Sequence, residues 1–325
     1  MPGGRLRRAL WVLGALVLAG AAVLALLLGP YALRVERFAA VPEQGYHAGF
    51  YLYVSPGARR GASQGLPVRL LVQPANSGRT SDDPEVHRRE AWWMGFERHG
   101  IADELGLALL VPAFVRPASD WQVYTHALDR DSLTTGDERL ARPDLQLLAM
   151  IESARAALAE RGIASEEKVL LYGFSASGMF ANRFTALHPE RVLAVAAGSP
   201  GGWPIAPVAE VGGERLPYPA GVADLEQLTG RPFDLEAWRA VPQLLYMGSL
   251  DDNDSVDFRD GWDEGAAAQL DRLFGSDPVA RWDDAERLHR AAGADVRFAL
   301  VDGLGHDRKG LQHLAVRFLS DQSWR

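Results

Sequence analysis

Hydrophobic patterning divides the chain into two unequal parts. The first part is an uncharged apolar run from Ala9 to Leu28, 20 residues preceded by Arg5, Arg7 and Arg8. A helix of that length spans the roughly 30 Å hydrocarbon core of a bilayer. Gly29-Pro30 ends the run, Trp11 and Tyr31 mark its two ends, and Arg34 follows. The pattern predicts a membrane anchor over residues 1–33, with the basic N-terminus in the cytoplasm and everything after it outside. A cleaved signal peptide shares the same basic start and would release a secreted domain. The run is longer than the 7–15 residues usual for such a peptide, and no small-x-small cleavage site follows it.

From residue 34 to 325 the pattern changes to short apolar runs alternating with longer amphipathic ones. Arg34 to Gln64 reads as a juxtamembrane stretch with the first antiparallel strands, including His47 to Val54. Strands are expected at Leu66–Gln73, Leu107–Pro112, Val169–Tyr172, Val192–Ala197, Gln243–Met247 and Val296–Val301. Helices are expected at Glu85–His99, Pro143–Arg161, Ala176–His188, Asp283–Ala292 and Arg308–Leu319. Brief apolar strands separated by helices predict an α/β domain whose mostly parallel sheet is covered on both faces. Two stretches break the rhythm: Ala113–Arg142, and Ser199–Arg239 with a short helix near Gly221–Leu228. Both follow strand C-termini, where ligands bind in such sheets. The second is expected to be a cap-like insertion (199–239) rather than a separate domain.

Composition narrows the possibilities. A net charge of −8 without a basic stripe argues against a nucleic-acid partner. The absence of cysteine excludes disulfides, thiolate metal sites, a cysteine nucleophile and a lipid anchor on cysteine. No phosphate loop, cofactor fingerprint or zinc spacing appears, so neither cofactor nor metal is expected.

The densest chemical signal is Lys168-Val-Leu-Leu-Tyr-Gly-Phe-Ser-Ala-Ser-Gly178, a strand breaking into Gly-x-Ser-x-Ser-Gly. A strand that turns there directly into a helix forces the serine onto a strained corner with its hydroxyl projecting. The next backbone N–H, that of Ala176, then points where an oxyanion would form. Ser175 is therefore the candidate nucleophile, and Ser177 occupies a position where glycine is usual. A serine needs a base, and the base needs an orienting acid, in the chain order Ser, acid, His. Of the eight histidines, His306 follows the last strand in the flexible loop Asp302-Gly-Leu-Gly305. His313 falls in a helical segment, and His126 is expected to be an exposed loop residue. The acid lies in the loop after Gln243–Met247: Asp251 has the common offset from Gly248, with Asp254 and then Asp252 as alternatives. Those carboxylates do not fit a calcium loop, which needs a sixth-position glycine and a distal glutamate. A second oxyanion donor is expected from Pro74-Ala-Asn-Ser-Gly78, from the backbone N–H of Ala75 or Asn76, with the Asn76 side chain as an alternative donor. Trp121, Tyr124, Trp203 and Trp238 are candidates to line the substrate site.

Gly173-Phe-Ser175-Ala-Ser-Gly178, the acidic loop at Asp251 and Gly305-His306 together resemble the α/β-hydrolase superfamily. Gly173 to Val192, with Met179, Asn182, Arg183 and His188-Pro-Glu-Arg-Val192, looks most like its polyhydroxyalkanoate-depolymerase and feruloyl-esterase branch. The resemblance covers Leu66 to the C-terminus. It implies a serine hydrolase working through an acyl-enzyme: Ser175 attacks, His306 acts as base and then acid, and Asp251 orients the imidazole. A carboxylic ester, small or polymeric, is the expected substrate. A peptidase or amidase on the same fold, and a silent binding protein that retains the fold, are the alternatives. Ser177 in place of glycine, and the Pro74–Gly78 loop without a His-Gly signature, depart from the superfamily pattern.

Overall fold

The computed structural model describes residues 11–14, 16–20, 29–74, 78–257 and 261–323. Of the apolar run Ala9–Leu28, residues 11–14 and 16–20 are helical, and the remainder lies outside the described residues. Among the described residues, no helix is long and apolar enough to cross a membrane.

Eight strands form one sheet in the order β1-β2-β4-β3-β5-β6-β9-β10. They are β1 (Val35–Phe38), β2 (Phe50–Val54), β3 (Leu70–Val72), β4 (Ala108–Pro112), β5 (Val169–Phe174), β6 (Val192–Gly198), β9 (Gln243–Gly248) and β10 (Val296–Val301). A small hairpin, β7 (Glu210–Val211) with β8 (Glu214–Arg215), lies apart. Within the large sheet, pairing is antiparallel for β1·β2 and β2·β4 and parallel between the other neighbouring strands.

Side-chain alternation explains why the sheet is covered twice. On β5, Val169 and Leu171 enter one core, while Leu170, Tyr172 and Phe174 enter the other. On β4 the same split places Ala108 and Leu110 on one face, Leu109 and Val111 on the opposite one. Strands buried on both faces read as continuous apolar runs, which is the sequence pattern observed. The helices Pro143–Ala159 and Ala176–Leu187 cover the first face; Pro84–Leu105 and Arg308–Ser323 cover the second.

The helix expected at residues 85–99 extends to Leu105. The Asp83 carboxylate caps it by accepting from Glu85 N at 2.9 Å, and Gly106 at φ 67° stops it. The strand expected at residues 66–73 contracts to Leu70–Val72, with Val68 retained as an isolated bridge to Ser165. The helices Pro56–Ser63, Arg130–Thr134 and Glu264–Phe274 were not expected. The stretch 199–239, expected as a cap-like insertion, does not pack by itself. Trp203, Leu216 and Ala220 share one cluster with Val256, Trp262, Leu270, Phe274 and Leu288, so the chain after β9 completes what residues 199–225 begin.

Candidate active site

The corner at Ser175 is built by close backbone approach. Ser175 adopts φ 60°, ψ −129°, a region that L-residues rarely enter. Its N–H donates to Gly198 O at 2.9 Å, which ties the corner to β6, and its C=O accepts from Met179 N at 2.9 Å. A Cβ on Gly173 would lie 2.0 Å from Ser177 O, and one on Gly178 would lie 2.4 Å from Gly198 O. Neither position admits a side chain. The Ser177 hydroxyl donates to Phe174 O at 2.9 Å and accepts from Phe174 N at 2.9 Å and Gln73 Nε2 at 3.3 Å. Serine here does not merely fill space: it stitches the elbow to itself and to the exit of β3. Gln73, which sequence patterning did not single out, also donates to Pro74 O at 3.0 Å and so fixes the start of the next loop.

The acidic loop and the histidine loop are held together by their backbones. Leu250 N donates to Leu304 O at 2.8 Å, and Ser249 N donates to Val301 O at 2.9 Å. A Cβ on Gly248 would lie 2.0 Å from Leu304 O, so only glycine permits that contact. The result places His306 Nδ1 3.0 Å from both carboxylate oxygens of Asp251. With the carboxylate as acceptor, Nδ1 carries the proton and Nε2 presents its lone pair. The imidazole packs on Phe174, the residue before Ser175, with ring centroids 4.8 Å apart.

Asp251 is 2% exposed. Burial pushes its carboxyl up, but the His306 hydrogen bond, the nearby Ser199 hydroxyl and the Asn253 N–H together hold it below the ordinary value. Ser199 itself sits at φ 42°, immediately after β6. The alternative acid Asp254 is engaged elsewhere: Oδ2 accepts from Arg281 Nη1 at 2.8 Å and Oδ1 from Val256 N at 2.9 Å. Arg281 is itself fully buried and also bonds Asp271 Oδ1 at 2.6 Å and Gly275 O at 2.6 Å. Burial raises the Asp254 carboxyl, with Arg281 opposing. Asp252 is exposed. The three neighbouring aspartates therefore separate into an imidazole partner, an arginine partner and a surface residue.

Ala176 N–H heads the elbow helix, whereas Ala75 and Asn76 lie outside the described residues. Tyr124 is buried in a small cluster with Ala127, Ala176 and Met179, directly beside the elbow. The Arg116 guanidinium lies over the Tyr124 ring at 3.5 Å. Trp121 remains exposed, its carbonyl accepting from Arg116 Nε at 3.3 Å.

Two of the tryptophans expected to line the site do not. Trp203 is buried, stacked on Phe274 at 4.5 Å with Nε1 donating to Ala220 O at 2.8 Å. Trp238 is buried against Phe233 and His289. In each case the indole is large enough to be the centre of a packing cluster, and that use won. His126, expected on the surface, is buried with Nε2 2.7 Å from Phe114 O. His313 is exposed, as its helical setting suggested. Among the described residues, no group of three or more His, Cys, Asp or Glu side chains is placed to hold a metal ion.

No protein-family model matches the sequence, and no curated protein matches it. Solved structures are similar. Poly(aspartic acid) hydrolase-1 from Sphingomonas sp. KT-1 superposes with a TM-score of 0.57 at 18% identity, over 87% of this chain and 97% of that one. A poly(3-hydroxybutyrate) depolymerase from Bordetella parapertussis superposes with a TM-score of 0.54 at 19% identity, over 88% of each chain. With this strand order and these neighbours, the chain has the α/β-hydrolase fold.

Proposed function

We propose that the protein is a serine hydrolase that cleaves a carboxylic ester through an acyl-enzyme. The observation that carries this is the Asp251–His306 pair, bonded at 3.0 Å and packed on Phe174 beside the strained Ser175. In the first half-reaction Ser175 Oγ attacks the ester carbonyl as His306 Nε2 takes its proton. The tetrahedral oxyanion receives the Ala176 N–H, with a second donor from the backbone at Ala75 or Asn76. Asp251 stabilises the imidazolium without itself taking a proton. The imidazolium then protonates the leaving alkoxide, and the alcohol departs. Water, deprotonated by His306, attacks the acyl-serine; the carboxylic acid leaves and the serine proton returns.

Tyr124 and Met179 pack against Ala176 and so stand beside the nucleophile. Trp121 is exposed on the same irregular loop and offers an aromatic surface to a longer substrate. The two similar structures act, by their descriptions, on poly(3-hydroxybutyrate), a polyester, and on poly(aspartic acid), a polyamide. That pair keeps amide hydrolysis as the second reading, since ester and amide cleavage use the same machinery. The apolar run Ala9–Leu28 anchors the chain in a bilayer with the catalytic domain outside the cytoplasm; cleavage of that run would instead release a secreted enzyme.

A fluorophosphonate probe tests the chemistry. The wild type should be labelled and the Ser175→Ala variant should not, with hydrolysis of p-nitrophenyl esters falling by about 10⁴-fold or more. Absence of labelling in folded wild-type protein would identify a silent binding protein instead. Aminoacyl anilides assayed beside esters of graded chain length separate the esterase from the amidase.

A further inference from the structure

The chain immediately after the apolar run is built into the domain. Tyr31 is buried, its ring centroid 5.4 Å from Tyr53, 5.5 Å from Trp92 and 5.1 Å from His99. A Cβ on Gly95 would lie 2.0 Å from the Tyr31 hydroxyl, so the helix Pro84–Leu105 has a notch in which that side chain sits. The backbone around it is closed by Leu33 N donating to Gly29 O at 2.9 Å and Arg34 N donating to Tyr31 O at 2.9 Å.

The spacing has a geometric consequence. Leu28, the last residue of the apolar run, is three Cα steps from Tyr31. Even fully extended, three residues reach only about 10 Å. The headgroup layer on one side of a bilayer is itself about 5–7 Å thick. No slack is left for the domain to tumble on a tether, and the surface around Tyr31 must lie against the headgroups.

That surface has the chemistry such a position requires. Leu33 is 87% exposed and Trp93 is 51% exposed, the latter edge-on to Trp92 at 4.9 Å and so continuous with the Tyr31 cage. Arg34 and Arg37 are exposed beside Tyr53 and Tyr51 respectively. Indole rings favour the membrane interface, and arginines there can hydrogen-bond the phosphates of lipid headgroups. The neighbouring Arg88 is paired with Glu85. We propose that the face formed by Leu33, Arg34, Arg37 and Trp93, tied to the domain by the buried Tyr31, rests on the bilayer and fixes the orientation of the catalytic domain. The helix Pro84–Leu105 returns the chain from the β3 exit to the start of β4, antiparallel to the strands it covers.

The inference rests on the apolar run being an uncleaved anchor, and its test separates the two. Because the chain has no cysteine, single cysteines are clean labelling sites. Leu33→Cys and Trp93→Cys place nitroxides on the proposed face. Leu300→Cys, 44% exposed on β10 at the opposite edge of the sheet from β1, is the aqueous reference. The labelled full chain is reconstituted in phosphatidylcholine–phosphatidylglycerol vesicles, and collision with oxygen and with a water-soluble nickel chelate is measured. Labels at 33 and 93 should show several-fold lower nickel collision and higher oxygen collision than the label at 300. Equal nickel access at all three sites, in chains that resist carbonate extraction, would overturn the resting face and leave the anchor intact. Chains extracted by carbonate, or beginning after residue 28, would overturn the anchor and the face together.

Discussion

At the scale of single residues, three aspartates within four positions have three different fates, and burial with a partner is what distinguishes them. Asp251 faces an imidazole, Asp254 faces a buried guanidinium and Asp252 faces water. Asp251→Asn should lower kcat by about 10⁴-fold with little change in thermal midpoint, because the amide no longer holds the productive tautomer. Asp254→Ala should instead cost about 3 kcal/mol in urea unfolding, since it leaves the Arg281 charge only partly compensated. If the two variants exchanged these phenotypes, the assignment of the acid would be wrong. The offset from Gly248 pointed to Asp251 from sequence alone. The partner of Asp254 was not legible there, because Arg281 lies 27 residues further on and meets it only in the folded chain. Ser177→Ala should cost about 1–3 kcal/mol, the scale of removing the hydroxyl that bonds Phe174 N and O, while Gln73 Nε2 keeps its bond to Pro74 O.

At the scale of elements, the site depends on places where two backbones nearly touch. Gly248→Ala would drive a methyl group into Leu304 O and spread the acid loop from the histidine loop. We expect it to reduce kcat by about 10-fold or more, beyond any loss of folded protein, since misplacing a catalytic group by 1 Å can cost about 10²-fold. Normal activity in that variant would show that the two loops are not held by this contact. The strand–elbow–helix unit was legible because its apolar run, its small residues and its turn all point to one geometry. The helix Glu264–Phe274 carries terminal signals, with Asp263 accepting from Ala266 N at 2.7 Å and Gly275 following its end, but is not among the helices expected from the patterning. Half of its buried face, Ala266 and Ala267 beside Leu270 and Phe274, is alanine, a residue found on buried and exposed faces alike.

At the scale of the molecule, two buried groups make opposite demands on pH. Burial depresses His289 from 6.5 to about 4, so its contribution to stability is full above pH 6.5 and is lost as pH falls toward 4. Burial raises Asp129 from 3.8 to about 6 despite N–H bonds from Tyr124 and Ser132; its contribution is full at low pH and is lost as pH rises through 6. Each amounts to about 3 kcal/mol, and between pH 4 and 6.5 they largely offset each other. Relative to the wild type, His289→Phe should make stability fall with rising pH across that window, and Asp129→Asn should make it rise. Urea unfolding at several pH values checks both signs; identical slopes in all three proteins would refute them.

What the sequence alone determined is whatever local chemistry dictates. The alternation of apolar strands with helices led to a doubly covered, mostly parallel sheet, and Gly-x-Ser at the end of a strand led to one strained corner, occupied by the half-buried Ser175. These follow from neighbours within a few residues, where backbone geometry leaves little choice. Tertiary structure decided the pairings made across long stretches of chain: Arg281 with Asp254, Gln73 with Ser177, Tyr31 with Gly95. It also decided that Trp203 and Trp238 are packing centres rather than walls of the site. A large aromatic ring suits both uses equally, and only the volume left by its distant neighbours selects between them.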